Sequence, residues 1–139
     1  MKKLQTQIIE WAKSKGINNP VTQQLKVIEE LGEMSKELLE GDKEKFKMEI
    51  GDVSVTIIIF YWQNKERLSL KNYDLFGMPQ DVAISYTLKA LYEYDRYILC
   101  YLNAICKLQG TTIEECTQMA YNKIKNRQGK TINGTFVKR

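Results

Sequence analysis

Two short acidic stretches decide the reading of this chain: Glu29-Glu30-Leu31-Gly32-Glu33 and Glu49-Ile50-Gly51-Asp52. In each, two acids stand three residues apart, Glu30 with Glu33 and Glu49 with Asp52. On an α-helix that spacing puts both side chains on one face, one turn apart. Between the stretches, Glu40-Gly41-Asp42-Lys43 reads as a break between two helices. Two antiparallel helices would bring the four carboxylates together. Four converging carboxylates in an apolar setting cannot all stay ionised unless something positive sits among them. A hard divalent cation such as Mg2+, which takes oxygen ligands, is the natural candidate.

The two helices differ in character. Residues 21–39 carry Leu25, Ile28, Leu31 and Leu38 at helical steps, with Met34 or Ser35 between them. Glu30, Glu33, Glu37 and Glu40 run parallel as an acidic stripe, which taken alone also fits an ordinary solvated face. Residues 43–65 change the balance. Phe46, Ile50, Val53, Ile57 and Phe60 form one apolar stripe, and Val55, Ile58, Ile59 and Trp62 fill the other faces. A helix apolar nearly all round is a buried helix. Glu49 and Asp52 then need a partner that the acidic stripe cannot supply. The β-branched and aromatic residues of 53–62 would also suit a strand. The stripe running without interruption from Phe46 favours the helix.

Outward from this pair, residues 4–15 predict a first helix, with Leu4, Ile8, Ile9, Trp11 and Ala12 on an approximate stripe. Gly16 suits its C-cap, and Asn18-Asn19-Pro20 leads into the next helix. Residues 67–80 read as a loop. Asp81 would cap a long fourth helix over 82–108. That helix and its borders hold Tyr86, Tyr92, Tyr94, Tyr97 and Tyr101, suited to core packing or a subunit interface. After Gly110, Thr112 and Glu115 form a capping box for a last helix reaching about residue 127. Asn133-Gly134 between short β-type runs predicts a terminal hairpin packed on the helices or on another subunit. The fold class expected is all-α, an antiparallel helix bundle with a short C-terminal β-hairpin.

Composition narrows the chemistry. With 139 residues and 43% hydrophobic content, one globular domain is expected. The longest apolar run, 57–62, is too short to span a bilayer, and no apolar segment follows the N-terminal lysines. No membrane partner and a cytoplasmic location are therefore expected. There is no histidine, and Cys100, Cys106 and Cys116 form no C-x-x-C. A zinc site and a histidine triad are unexpected, and buried reduced thiols are the natural reading. Acid–base work must fall to carboxylates, Lys, Tyr or Cys. The net charge is +4, and residues 121–139 hold six Lys/Arg and no acid. Such a tail suits nucleic acid, a polyphosphate or plain solvation.

The spaced acids carry a resemblance. Glu29-Glu30-x-x-Glu33 followed by Glu49-x-x-Asp52 resembles the E-E-x-x-E…E-x-x-D signature of MazG-like nucleoside triphosphate pyrophosphohydrolases. That all-α superfamily includes the dimeric dUTPases and dCTP pyrophosphatases. Ala120-Tyr121-Asn122-Lys123-Ile124-Lys125-Asn126-Arg127 is similar to the family's closing helix end, and residues 129–138 to the tail of small phage and bacterial members. The likeness covers roughly 4–64 and 105–138. The chain then reads as a single MazG-like domain over 1–139, with an atypical aromatic-rich insertion at about 65–104.

The resemblance implies a bundle of the all-α NTP pyrophosphatase type. It implies Mg2+-dependent hydrolysis, with Mn2+ as the alternative ion, of a nucleoside or deoxynucleoside triphosphate to monophosphate and pyrophosphate. Glu30, Glu33, Glu49 and Asp52 would be the metal ligands, with Glu29 just outside the set. Glu30 or Glu33 would take the proton of the attacking water. Lys123, Asn126 and Arg127 would reach the triphosphate or the base, although basic residues also suit a solvated helix end. Trp11 would stack on the base or pack in the core. A homodimer or homotetramer is implied, with sites near subunit interfaces. Two other classes stand beside this one: a non-catalytic helical interaction module and a small basic nucleic-acid-binding protein. The latter leaves Glu49 and Asp52 unexplained, so nucleic acid is not the expected partner.

Overall fold

A helix apolar nearly all round has to sit inside its neighbours, and α3 (Lys43–Gln63) does over most of its length. Phe46, Ile50, Val53, Ile57, Phe60 and Tyr61 are all buried along it. The computed structural model describes residues 1–69, 77–127 and 129–138. Around α3 pack α1 (Lys2–Ser14), α2 (Pro20–Glu40), α5 (Ile98–Leu108) and α6 (Ile113–Ile124), while α4 (Gln80–Glu93) pairs with α5. Ile98, Leu99, Leu102 and Ile105 of α5 join the same core as α1–α3. The helix preferred over a strand for 53–62 is what forms. None of the helices among the described residues is long and apolar enough to cross a membrane.

The α2–α3 hairpin is set by local chemistry at each end. The Asn19 side chain accepts from the Val21 and Thr22 amides at 3.1 and 3.3 Å, and Pro20 fills the first helical turn. Gly41, at φ 74°, ends α2 in a left-handed conformation that glycine adopts without strain. Asp42 then caps α3 by accepting from the Lys45 amide at 3.1 Å. The connection is thus two residues long, and α2 and α3 must run antiparallel.

Gly51 sets the approach of α6. A Cβ there would lie 2.1 Å from the Cys116 carbonyl oxygen and 2.9 Å from its carbon. Only glycine lets the two backbones come this close. The Ser54 and Thr117 hydroxyls, both fully buried, are hydrogen-bonded across the same contact at 2.7 Å. All three cysteines are buried and free.

The long fourth helix expected over 82–108 is two helices. Pro79, not Asp81, is the N-cap of α4, and Asp81 lies in its first turn. The break falls at Tyr94, at φ 54°, followed by a turn to Tyr97. Asp95 explains it. Its carboxylate accepts from the Tyr97 amide at 2.8 Å and from the Tyr101 hydroxyl at 3.2 Å, and its carbonyl accepts from the Tyr61 hydroxyl at 2.9 Å. A short acidic side chain that bonds nearby backbone offers the chain an alternative to the helical ladder. The apolar pattern on either side does not reveal that competition. Residues 70–76 of the loop expected at 67–80 lie outside the described residues.

The last helix starts as expected, with the Thr112 hydroxyl accepting from the Glu115 amide at 3.1 Å, and ends at Ile124. The terminal hairpin forms from β1 (Gly129–Ile132) and β2 (Thr135–Lys138), antiparallel, turning at Asn133 and Gly134 with φ 52° and 78°. Both positive φ values are what a tight two-residue hairpin turn requires. The hairpin is clasped to the α1–α2 loop. The Gly134 carbonyl accepts from the Asn18 and Asn19 amides, the Asn19 amide side chain donates to Asn133, and the Thr131 hydroxyl donates to the Lys15 carbonyl.

Candidate functional site

The short α2–α3 connection fixes which acids stand level. Glu30 precedes Gly41 by as many residues as Asp52 follows it, and Glu33 and Glu49 are matched in the same way. At about 1.5 Å of rise per residue, each pair lies at one height in the hairpin. One carboxylate oxygen from each of Glu30, Glu49 and Asp52 lies within 4.8 Å of the others, and all three side chains are half-buried. Three of the four acids picked out by spacing are therefore together.

Glu33 stands beside the cluster without joining it, and its side chain is exposed. The reason is phase. The buried face of α2 is centred on Val27 and Met34. Glu33 lies about 60° further round the helix from that face than Glu30. Glu29 is further out: it is exposed and pairs with Lys26 at 3.3 Å. An acid not singled out by the motif is the buried one on α2. Glu37 is only 6% exposed, and its Oε2 is buried with no hydrogen-bond partner. Its position on the Glu30, Glu33, Glu37 stripe was the one available signal.

The electrostatics agree with crowding. Glu49 is held above the usual carboxylate range, first by its burial and then by the Asp52 charge. Lys123 opposes that shift, and Glu33 and Glu37 add to it. The Lys123 ammonium donates to Asp52 Oδ2 at 2.9 Å, reaching over the close α3–α6 contact at Gly51. Lys123, read from sequence as a nucleotide contact, thus pairs directly with the acidic cluster.

A cleft of about 100 Å3 opens beside the acids. Glu30 and Asp52 form one edge, Lys26 and Arg127 bring positive charge, and Trp11 and Phe136 supply aromatic walls. The two rings meet edge to face at 5.3 Å between centroids. The Trp11 indole Nε1 is buried and has no hydrogen-bond partner. Gln23, also lining the cleft, is fixed by donation from its Nε2 to the Thr56 carbonyl at 3.1 Å. Asn126 is exposed and does not line this cleft. Lys26, Gln23 and Phe136 were invisible to motif reading, because an α2 residue one turn before Glu30 and a hairpin residue meet only in the folded chain.

The donor chemistry fits a hard cation. Carboxylate oxygens are the ligands that Mg2+ and Mn2+ prefer. A buried carboxylate oxygen without a donor, beside a carboxyl whose charge is disfavoured, is the strain that a divalent cation relieves. Glu30, Glu49 and Asp52 would hold it, with Glu37 next to them. Comparison with known proteins finds no matching family model, no matching curated protein and no matching solved structure.

Proposed function

We propose that this protein is a Mg2+-dependent nucleoside triphosphate pyrophosphohydrolase, releasing pyrophosphate and the monophosphate from a ribo- or deoxyribonucleotide. The observation that carries this reading is the convergence of Glu30, Glu49 and Asp52 at the mouth of a cleft that also holds Arg127, Lys26 and Trp11. An acidic cluster beside cationic side chains suits a ligand that is anionic and metal-carrying. A divalent cation bound there supplies charge neutralisation for the triphosphate and a more acidic water. Arg127 and Lys26 would hold phosphate oxygens, Arg127 through its planar fork. Lys123 would leave Asp52 to the cation and turn to the phosphates. Glu33, beside the cluster but outside it, is the acid left to take a proton from water. The Trp11 and Phe136 rings suit the planar base.

We also read the chain as a homo-oligomer. On the face of α2 away from α3, Val21, Leu25, Ile28 and Leu39 are 54–89% exposed. With Gly32 and Ser35 they make a stripe of alternating four- and three-residue steps. Pairing this helix antiparallel with its own copy sets Gly32 opposite Ile28, Ser35 opposite Leu25 and Val21 opposite Leu39. Nothing lies within 4 Å of the Cβ position at Gly32, so the groove there can take a side chain. Such small-against-large pairing is what a two-fold interface needs.

The deciding experiment is pyrophosphate release from a panel of NTPs and dNTPs, in Mg2+ and in EDTA. Release that needs the metal and favours one or a few nucleotides is expected. A folded protein that releases none from any nucleotide ends the proposal. Sedimentation of the wild type against Leu25→Glu tests the interface, with dissociation to a monomer expected in the variant.

A further inference from the structure

The acidic cleft is too small for the ligand proposed for it. It holds about 100 Å3, whereas sites that enclose a small organic ligand hold about 300–1,000 Å3. Two rings account for the shortfall. Trp11 and Phe136 meet edge to face with 5.3 Å between centroids. A planar base laid between them would make a contact of about 3.5 Å on each face, so the rings would have to stand about 7 Å apart and turn parallel. Trp11 belongs to α1, which is fixed in the core through Leu4, Ile8 and Ala12. Phe136 belongs to the terminal hairpin, so the widening falls to the hairpin.

The attachment of the hairpin suits such a movement. Among the described residues, Phe136 is its one side chain packed against the core, and Ile132 and Val137 are exposed. The hydrogen bonds that tie it to the helices are gathered on residues 15–19. The Asn18 and Asn19 amides donate to the Gly134 carbonyl at 2.9 and 3.2 Å, and the Asn19 side chain donates to the Asn133 carbonyl at 3.1 Å. The Thr131 hydroxyl donates to the Lys15 carbonyl, and the Lys15 ammonium lies over the Phe136 ring. All of these groups lie at the surface, where water can replace each bond once the hairpin lifts. Two strands are unstable alone, so the ladder persists only while the hairpin is docked. The root of the hairpin adds a link to the site. β1 begins two residues after Arg127, which lines the cleft. Docking therefore brings the aromatic wall and Arg127 into place in one movement.

We propose that the C-terminal hairpin, residues 129–138, is a lid over the acidic cleft, which undocks as one cooperative unit to admit a planar ring between Trp11 and Phe136 and then closes on it. The identity of the ligand rests on the nucleotide reading of the cleft; the movement does not.

Hydrogen exchange of the metal-free, nucleotide-free protein tests the movement. The Asn18 and Asn19 amides stay on the helical body, so their exposure reports undocking rather than fraying of the strands. They should exchange in step with the hairpin ladder, with protection at least about a hundredfold below that of the buried α3 amides. Thr131→Val removes a clasp bond at a residue outside the cleft lining, and should lower protection at both places together by about fivefold. Asn18 and Asn19 amides as protected as those of α3, protected while the ladder exchanges, or unmoved by Thr131→Val overturn the lid. A second measurement uses Trp62→Phe, in which Trp11 is the sole tryptophan, mixed rapidly with α,β-methylene analogues of the four dNTPs in Mg2+. The rate of the fluorescence change should rise to a plateau shared by every analogue that binds, because opening precedes binding, and Thr131→Val should raise that plateau by about fivefold. A rate that climbs with concentration and reaches no plateau overturns the gating. The two readings fail separately: opening without binding of any nucleotide refutes the pyrophosphohydrolase, and turnover by a protein whose hairpin never opens refutes the lid.

Discussion

Two acid pairs with the same three-residue spacing end up in different places. On α3, Glu49 and Asp52 both enter the cluster; on α2, Glu30 enters and Glu33 stays in solvent. The helices differ in how much of their surface is covered. α3 is packed by α1, α2, α5 and α6, so Glu49 and Asp52 are both half-buried. α2 is covered on one side only, so a shift of about 60° round the helix decides whether an acid is inside or out. Spacing fixes the angle between two side chains, and packing fixes where that angle points.

The sharpest way to break this contrast is to remove the inner acids. Asp52→Asn or Glu49→Gln should lower pyrophosphate release by about a thousandfold, because the lost carboxylate would hold the cation that neutralises the transition-state charge. Both proteins should keep the wild-type circular dichroism spectrum. Near-wild-type turnover in either variant would sink the catalytic reading of the α3 pair.

The covering of α3 can be tested directly. Gly51→Ala places a methyl against the Cys116 carbonyl and should cost about 3 kcal/mol, at the upper end for overpacking, read as a fall in the urea midpoint. It should also pull Lys123 away from Asp52. An unchanged midpoint would show that α3 and α6 can separate freely.

Metal linkage comes next. Mg2+ at a hundred times its dissociation constant should raise stability by about 2.7 kcal/mol, and the rise should vanish in Asp52→Asn. A melting temperature indifferent to Mg2+ would leave the acidic cluster without its cation.

The outer acid should matter less than the inner ones. Glu33→Gln should cost about a hundredfold in turnover, at the low end for a general base. If Glu33→Gln proved as damaging as Asp52→Asn, the contrast between the two helices would be wrong in solution. The smallest effect is expected at the buried hydroxyl pair. Thr117→Val leaves Ser54 without its partner and should cost about 1–2 kcal/mol, measured by chemical denaturation.

Much of this was legible in the sequence because it is local. The caps at Asn19, Gly41, Asp42 and Thr112, the hairpin turn at Asn133-Gly134 and the all-round apolar α3 follow from residues within a few positions of one another. The same locality explains why Glu30, Glu49 and Asp52 could be named together: a short connection leaves the hairpin little choice of register. What the sequence alone could not reach is whatever depends on distant chain. The Asp95 carboxylate breaks the aromatic helix by bonding the Tyr97 amide and the Tyr101 hydroxyl, and Tyr61, far back on α3, bonds its carbonyl, a contact of which the pattern from 82 to 108 carries no trace. Trp11 reads as core before ligand contact, and only the fold brings Phe136 of the hairpin beside it at the cleft. Glu37 is buried and Glu33 exposed because α3 covers one side of α2 and not the other. Periodicity determines which residues share a helix face; only the packed structure, through the order and angle of its neighbours, decides which face is closed from water.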